Sequence, residues 1–256
     1  KNGGTLTLGG SWDNSAGTIS LDANANSTVN LGGAFTTAGL GTLSRGAGGL
    51  NGRVNITGTL TNTGDTLLLD DTTGSLNLAG GTIVGGIIDT AVGSASKLNI
   101  TGDSTLSGGV TLASSLDVGS LSSNVTLTVN GGLTLDQASD EALTLFAANN
   151  AFSAHDALRF NTGTLGGTGT VVLAPGTNAT SLRMFINGNQ TLTIGPGVTV
   201  KTGAVGTNSS TTITSGANGT LINQGTISSE TASRSLTVNL TNLTNSGTLA
   251  AKNGGT

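Results

Sequence analysis

Val54-Asn55-Ile56-Thr57-Gly58, Leu76-Asn77-Leu78-Ala79-Gly80 and Leu98-Asn99-Ile100-Thr101-Gly102 follow one another at 22-residue spacing, and their reading decides the fold. Apolar and polar residues alternate in each copy, the period of a β-strand, which puts Val, Leu and Ile on one face and Asn on the other. A glycine closes each copy, and glycine enters a positive-φ turn without steric cost. Strands this short cannot bury an apolar face alone, so successive periods must stack coil on coil. Stacked in register, Val54, Ile56, Leu76, Leu78, Leu98 and Ile100 point inward in columns. Asn55, Asn77 and Asn99 then form an outward ladder, like over like, whose amides hydrogen-bond along the stack.

The same texture continues in both directions. Val29-Asn30-Leu31-Gly32-Gly33 stands 25 residues before the first copy. A second motif, Leu221-Ile222-Asn223-Gln224-Gly225-Thr226-Ile227, returns 22 residues later as Leu243-Thr244-Asn245-Ser246-Gly247-Thr248-Leu249. Leu60-Thr61-Asn62-Thr63-Gly64 is a partial copy, and Trp12-Asp13-Asn14-Ser15-Ala16-Gly17-Thr18-Ile19 a copy with one residue inserted. The expected fold is therefore all-β, a single continuous parallel β-solenoid over 1–256. At the short period it makes about eleven or twelve coils, and at ~4.8 Å per coil a rod of roughly 55 Å.

A longer period overlies the short one. Lys1-Asn2-Gly3-Gly4-Thr5 recurs as Lys252-Asn253-Gly254-Gly255-Thr256, and these two lysines are half of all those in the chain. The expectation is one period of about 251 residues in a tandem array, with the short repeat running across the junction. The termini then expose raw strand edges, and a first coil docks on the last coil of a neighbouring copy.

Composition excludes several function classes. Charged residues make up only 9%, and the net charge is −4. Single, scattered Lys and Arg offer no patch for phosphates, and with no Tyr there is little to stack on bases, so no nucleic-acid partner is expected. Disorder couples high charge to low hydrophobicity, whereas this chain has mean hydropathy +0.13 and regular alternation. Absence of cysteine removes thiolate metal sites and cysteine nucleophiles. No run approaches 18 apolar residues, so this segment is not expected to insert in a membrane.

One stretch departs from the texture. Asp136-Gln137-Ala138-Ser139-Asp140-Glu141-Ala142 concentrates acids, and Phe146, Phe152 and the single histidine, His155, follow. The expectation is an insertion over 136–157 that protrudes from one flank between Leu133-Thr134-Leu135 and Leu158-Arg159-Phe160. Phe146, Phe152 and His155 are its candidate contact surface. Glu141, His155 and Asp156 are the nearest approach to an acid/base or metal cluster. One histidine beside carboxylates supplies neither three converging ligands nor a nucleophile next to its base. Asp70-Asp71 before Thr72-Thr73-Gly74 offers a turn for calcium, but the pattern Gly-Gly-x-Gly-x-Asp is absent. Gly166-Gly167-Thr168-Gly169-Thr170-Val171 carries Val at the acidic position. No catalytic residue, metal or cofactor is expected, and the chain reads as not an enzyme.

Ser246-Gly247-Thr248-Leu249 running into Gly4-Thr5-Leu6-Thr7-Leu8 resembles bacterial surface β-helix proteins, the autotransporter passenger and filamentous-haemagglutinin-like repeat regions. Gly163-Thr164-Leu165-Gly166-Gly167-Thr168-Gly169-Thr170-Val171 and Leu173-Ala174-Pro175-Gly176 are similar to glycine-rich autotransporter-associated repeats. The resemblance implies a right-handed parallel β-helix, exported and used as a stalk or adhesin at a prokaryotic cell surface, and carries over no catalytic residue. The expected function is a structural segment of an extracellular fibre that assembles with itself end to end, and bundles laterally. The alternative is an adhesin module that binds a glycan or protein through its flank or the 136–157 segment.

Overall fold

The computed structural model describes residues 3–22, 26–45, 52–119, 125–138, 141–147, 154–175, 181–203 and 210–256. Its chain winds into a right-handed parallel β-solenoid with three faces. One turn runs Arg53–Ile56 on the first face, Thr59–Thr61 on the second and Thr66–Leu69 on the third. The next begins again at Leu76–Ala79, with Asn55 opposite Asn77 and Ile56 opposite Leu78. The only helical element among the described residues is the short 3-10 turn Ala38–Leu40.

From Arg53 to Asn245 all three ladders run unbroken for eight turns. Thr28–Leu31, Ala34–Thr36 and Thr42–Arg45 make a turn before them, and Thr5–Leu8, Ser11 and Thr18–Leu21 another. Thr248–Ala251 opens a further turn on the first face. The rod thus has fewer turns than the eleven or twelve expected. The step is not constant: Asn55 and Asn77 are 22 residues apart, but Asn130 and Asn161, also one turn apart, are separated by 31. Part of the difference falls at the corner before Leu143, which stands eight residues after Leu135 where their partners Leu116 and Leu112 are four apart, and the stacked strands stay intact.

Alternation inside each strand builds the core. Val54, Ile56, Leu76 and Leu78 are 0% exposed, with Leu98 and Ile100 close behind. Ile56, Leu78 and Ile100 are consecutive partners in one column, and Leu76 and Leu98 in another. Each inward side chain therefore packs on a like-shaped one a turn away, the close packing that protein interiors require.

The segment 136–157 does not stand off the rod where it is described. Leu143–Ala147 is a first-face strand, pairing on one side with Leu116–Val118 and on the other with Val171–Pro175. Leu143 and Leu145 are fully buried. The reason lies in Leu143-Thr144-Leu145, which has the same alternation as the other strands, so the ladder takes it in. The acidic run marks the corner that precedes it. There the Ala138 N–H donates to Glu141 Oε2 at 2.9 Å, and buried Gln137 donates from Nε2 to the Ser114 carbonyl at 3.3 Å. Ala154–Phe160 then returns on the second face opposite Leu127–Val129 and Ser181–Ile186. Deleting 138–154 removes a central strand of the first face. We predict loss of cooperative unfolding and of most β-signal by circular dichroism; an intact rod after the deletion would show that the strand is dispensable.

Candidate functional site

The side chains with the most organised geometry are asparagines, and they fall into two sets. The first is an outward column on the first face. Asn30, Asn55, Asn77 and Asn99 stand opposite one another on successive turns. Asn55 Nδ2 donates to Asn30 Oδ1 at 2.8 Å, Asn77 to Asn55 at 2.9 Å and Asn99 to Asn77 at 3.2 Å. Asn30 ends the run by donating to Thr7 Oγ1 at 3.2 Å. At the other end Asn99 faces Asp117, whose carboxylate lies 3.9 Å from Lys97 Nζ. A second such run stands at the end of the second-face strands, where Asn161 donates to Asn130 and Asn187 to Asn161.

The second set lies inside the corners. Asn62 is fully buried, receives a hydrogen bond from Thr37 Oγ1 at 2.6 Å, and donates to the carbonyls of Gly85 and Ile87 at 3.3 and 2.9 Å. The chain must pass very close to it. A Cβ on Gly86, where φ is +71°, would lie 1.9 Å from the Asn62 carbonyl oxygen, so only glycine fits. Asn223, also fully buried, donates to Asn245 Oδ1 at 2.6 Å, and Asn14 donates to the Leu40 carbonyl at 3.1 Å. A buried corner carbonyl without a partner is costly, and these amides supply the donors that no strand reaches. Sequence reasoning saw the motif but not this role. The signal was the Asn two residues before a Gly, recurring in Asn62, Asn223 and Asn245.

The remaining candidates do not converge. Phe146 lies in Leu143–Ala147 opposite Ala174, and His155 in Ala154–Phe160 opposite Leu182; Phe152 falls outside the described residues. They are placed on two different faces. Among the described residues no three of His, Cys, Asp or Glu are grouped so as to hold a metal ion, and no helix is long and apolar enough to cross a membrane. The Asp70 carboxylate accepts the N–H groups of Thr72 and Thr73 at 2.9 and 2.6 Å, and Asp71 accepts the Ser94 hydroxyl at 2.7 Å. The acidic pair thus folds its own turn and ties it to the next. Hydrogen bonds from the Thr73 backbone, above all, hold Asp70 below the ordinary carboxylate range.

One surface was not foreseen. On the second face the Phe185 ring has the Arg159 guanidinium 5.0 Å and the Arg183 guanidinium 5.9 Å from its centre, a cation–π cluster. At the ends, the apolar interior opens to solvent. Ile227, Ser229, Leu236, Val238 and Leu249 line a hollow of about 310 Å³ at one end, and Leu6, Leu21 and Val29 one of about 180 Å³ at the other. No protein-family model matches the chain, nor does any curated protein or solved structure.

Two outcomes follow from the polar geometry. Asn62→Ala strands two carbonyls and a hydroxyl and is expected to cost about 2–3 kcal/mol, against about 1 kcal/mol or less for half-exposed Asn77→Ala; urea unfolding measures both. For Asp70 the folded pKa is depressed, so its contribution is present above the unfolded carboxylate pKa and is lost as pH falls through the lower folded value. Stability curves of the parent and Asp70→Asn should therefore differ near neutrality and converge in acid.

Proposed function

We propose that the chain is a structural segment of a long β-solenoid fibre or stalk at a prokaryotic cell surface, joined end to end with further copies of itself. The observation that carries this reading is the recurrence of Lys1-Asn2-Gly3-Gly4-Thr5 as Lys252-Asn253-Gly254-Gly255-Thr256 on a rod whose turns stack in register. Leu6, Leu243 and Leu249 are 51%, 43% and 48% exposed, whereas Leu221, one turn inside Leu243, is 0% exposed. These leucines occupy inward columns, Leu6 opposite Val29, Leu243 opposite Leu221 and Leu249 opposite Ile227. Apolar columns that stop in water, beside strand edges paired on one side only, are what a further coil covers. The ladders of backbone and asparagine amides suit a load along the rod, since every turn is tied to the next by the same bonds. The cell-surface setting draws on the likeness of Ser246-Gly247-Thr248-Leu249 and the glycine-rich coils to bacterial surface β-helices.

A second reading, an adhesin module, draws on the flank. The Arg159–Phe185–Arg183 cluster combines an aromatic face with two cations, chemistry that suits a sugar ring bearing a carboxylate. Electron microscopy at rising concentration tests the first reading. Rods of constant width should lengthen in steps of one chain, and Leu243→Asp with Leu249→Asp should hold them at a single length. Rods that stay one chain long at every concentration would defeat it.

A further inference from the structure

The last residue of the chain already pairs with the second face. The Thr256 N–H donates to the Arg234 carbonyl at 2.7 Å, and the Leu236 N–H donates to the Thr256 carbonyl at 3.1 Å. In a parallel ladder this places Thr256 opposite Ser235, one residue ahead of the second-face strand Leu236–Asn239. Thr256 ends the pentapeptide Lys252-Asn253-Gly254-Gly255-Thr256, which is identical to the one ending in Thr5. Thr5 begins a strand too, but Thr5–Leu8 lies on the first face, in the ladder of Thr28–Leu31. The last residue of the repeated pentapeptide thus takes a ladder position on two different faces.

Resting on the end-to-end reading above, we infer that the end of the rod is built to receive a second copy of this chain turned by one face, a third of a turn about the axis, with the two pentapeptides merged into one. Continuing from Thr256 with the residues that follow Thr5 gives the register directly. Leu6 falls over Leu236, Thr7 over Thr237 and Leu8 over Val238. Trp12 then comes over Leu243 and Asn14 over Asn245, and after them Ile19 over Leu249 and Leu21 over Ala251.

Each inward residue meets an inward residue. Leu236 and Val238 are the less exposed alternate residues of their strand. Leu243 and Leu249 extend the inward columns of Leu221 and Ile227. In the incoming copy Ile19 and Leu21 are the buried alternates of Thr18–Leu21, and Trp12 stacks inward on Phe35 with ring centres 4.4 Å apart. The corner amide is continued as well. Asn223 donates to Asn245, and Asn14 of the second copy extends that pair by one turn. Length differences fall at corners: one residue fewer between Leu8 and Trp12 than between Val238 and Leu243, and one more between Asn14 and Thr18 than between Asn245 and Thr248. A corner is where a solenoid absorbs them. In a fibre built this way, the Arg159–Phe185–Arg183 cluster moves to the next face with each copy and returns to the same face every third copy.

The absence of cysteine makes the register directly measurable. A tandem chain of 1–256 followed by 6–256 keeps one shared pentapeptide at the junction. In one variant Thr237→Cys in the first copy is combined with Thr7→Cys in the second; in the other, Ala250→Cys replaces Thr237→Cys. All three positions face outward on their strands, and neighbouring strands at ~4.8 Å suit a disulfide. After mild oxidation, thiol titration and peptide mapping should show nearly complete closure of the 237–7 pair and about tenfold less of the 250–7 pair. Closure of the 250–7 pair instead would place Thr5–Leu8 on the first-face strand Thr248–Ala251, overturning the rotation while leaving end-to-end stacking in place. Closure of neither pair, with two separately jointed rods in electron micrographs, would overturn both the rotation and the end-to-end reading.

Discussion

Everything in this rod depends on register between consecutive turns. A parallel ladder ties each strand to those a turn before and after, and slipping by one residue would turn every inward leucine outward. Register is held from two directions. Inward, columns such as Leu31, Ile56, Leu78 and Ile100 accept only residues of similar shape. Outward, Asn30, Asn55, Asn77 and Asn99 exchange amide hydrogen bonds that a slipped strand would break. The two sets alternate along the same strands, so apolar packing and polar pairing select the same alignment.

Corners carry the tolerance that the strands lack. The backbone there leaves the ladder, its carbonyls turn inward, and an asparagine from the preceding corner supplies the missing donor, as Asn62 does for Gly85 and Ile87. The close approach that this needs admits glycine. Gly247 packs so tightly on the preceding turn that a Cβ would lie 2.1 Å from the Gly225 carbonyl oxygen. Where the chain adds residues, as between Asn130 and Asn161, they leave at a corner and return in register. The acidic stretch around Asp136 and Glu141 is one such corner, and the strands either side of it are ordinary members of the rod.

The same repetition shapes the function proposed. A stack in which each turn presents the next with a similar edge can be extended by a further turn of the same kind, which is the feature the proposed fibre uses. Cysteine-free cohesion is consistent with this design, since stacking rather than cross-linking holds the turns together. Outward side chains from separate turns meet on the flanks, as Arg159 and Arg183 do at Phe185.

Period-2 alternation and the 22-residue step made the all-β solenoid legible from the amino-acid order alone, because they are local properties of each strand. The inward columns and the alignment of Asn55, Asn77 and Asn99 followed from the same spacing. Number of turns did not follow, since corners lengthen without changing the pattern of the strands they join. Nor did the place of Leu143–Ala147: its Leu-Thr-Leu alternation is that of the other strands, but the acidic run before it departs from the texture, and the ladder shows that the strand is a member of the first face. The buried role of Asn62 and Asn223, and the meeting of Arg159 with Phe185, depend on residues a full turn apart in the chain. Only the folded stack, which sets how many residues each turn takes, brings those side chains into contact.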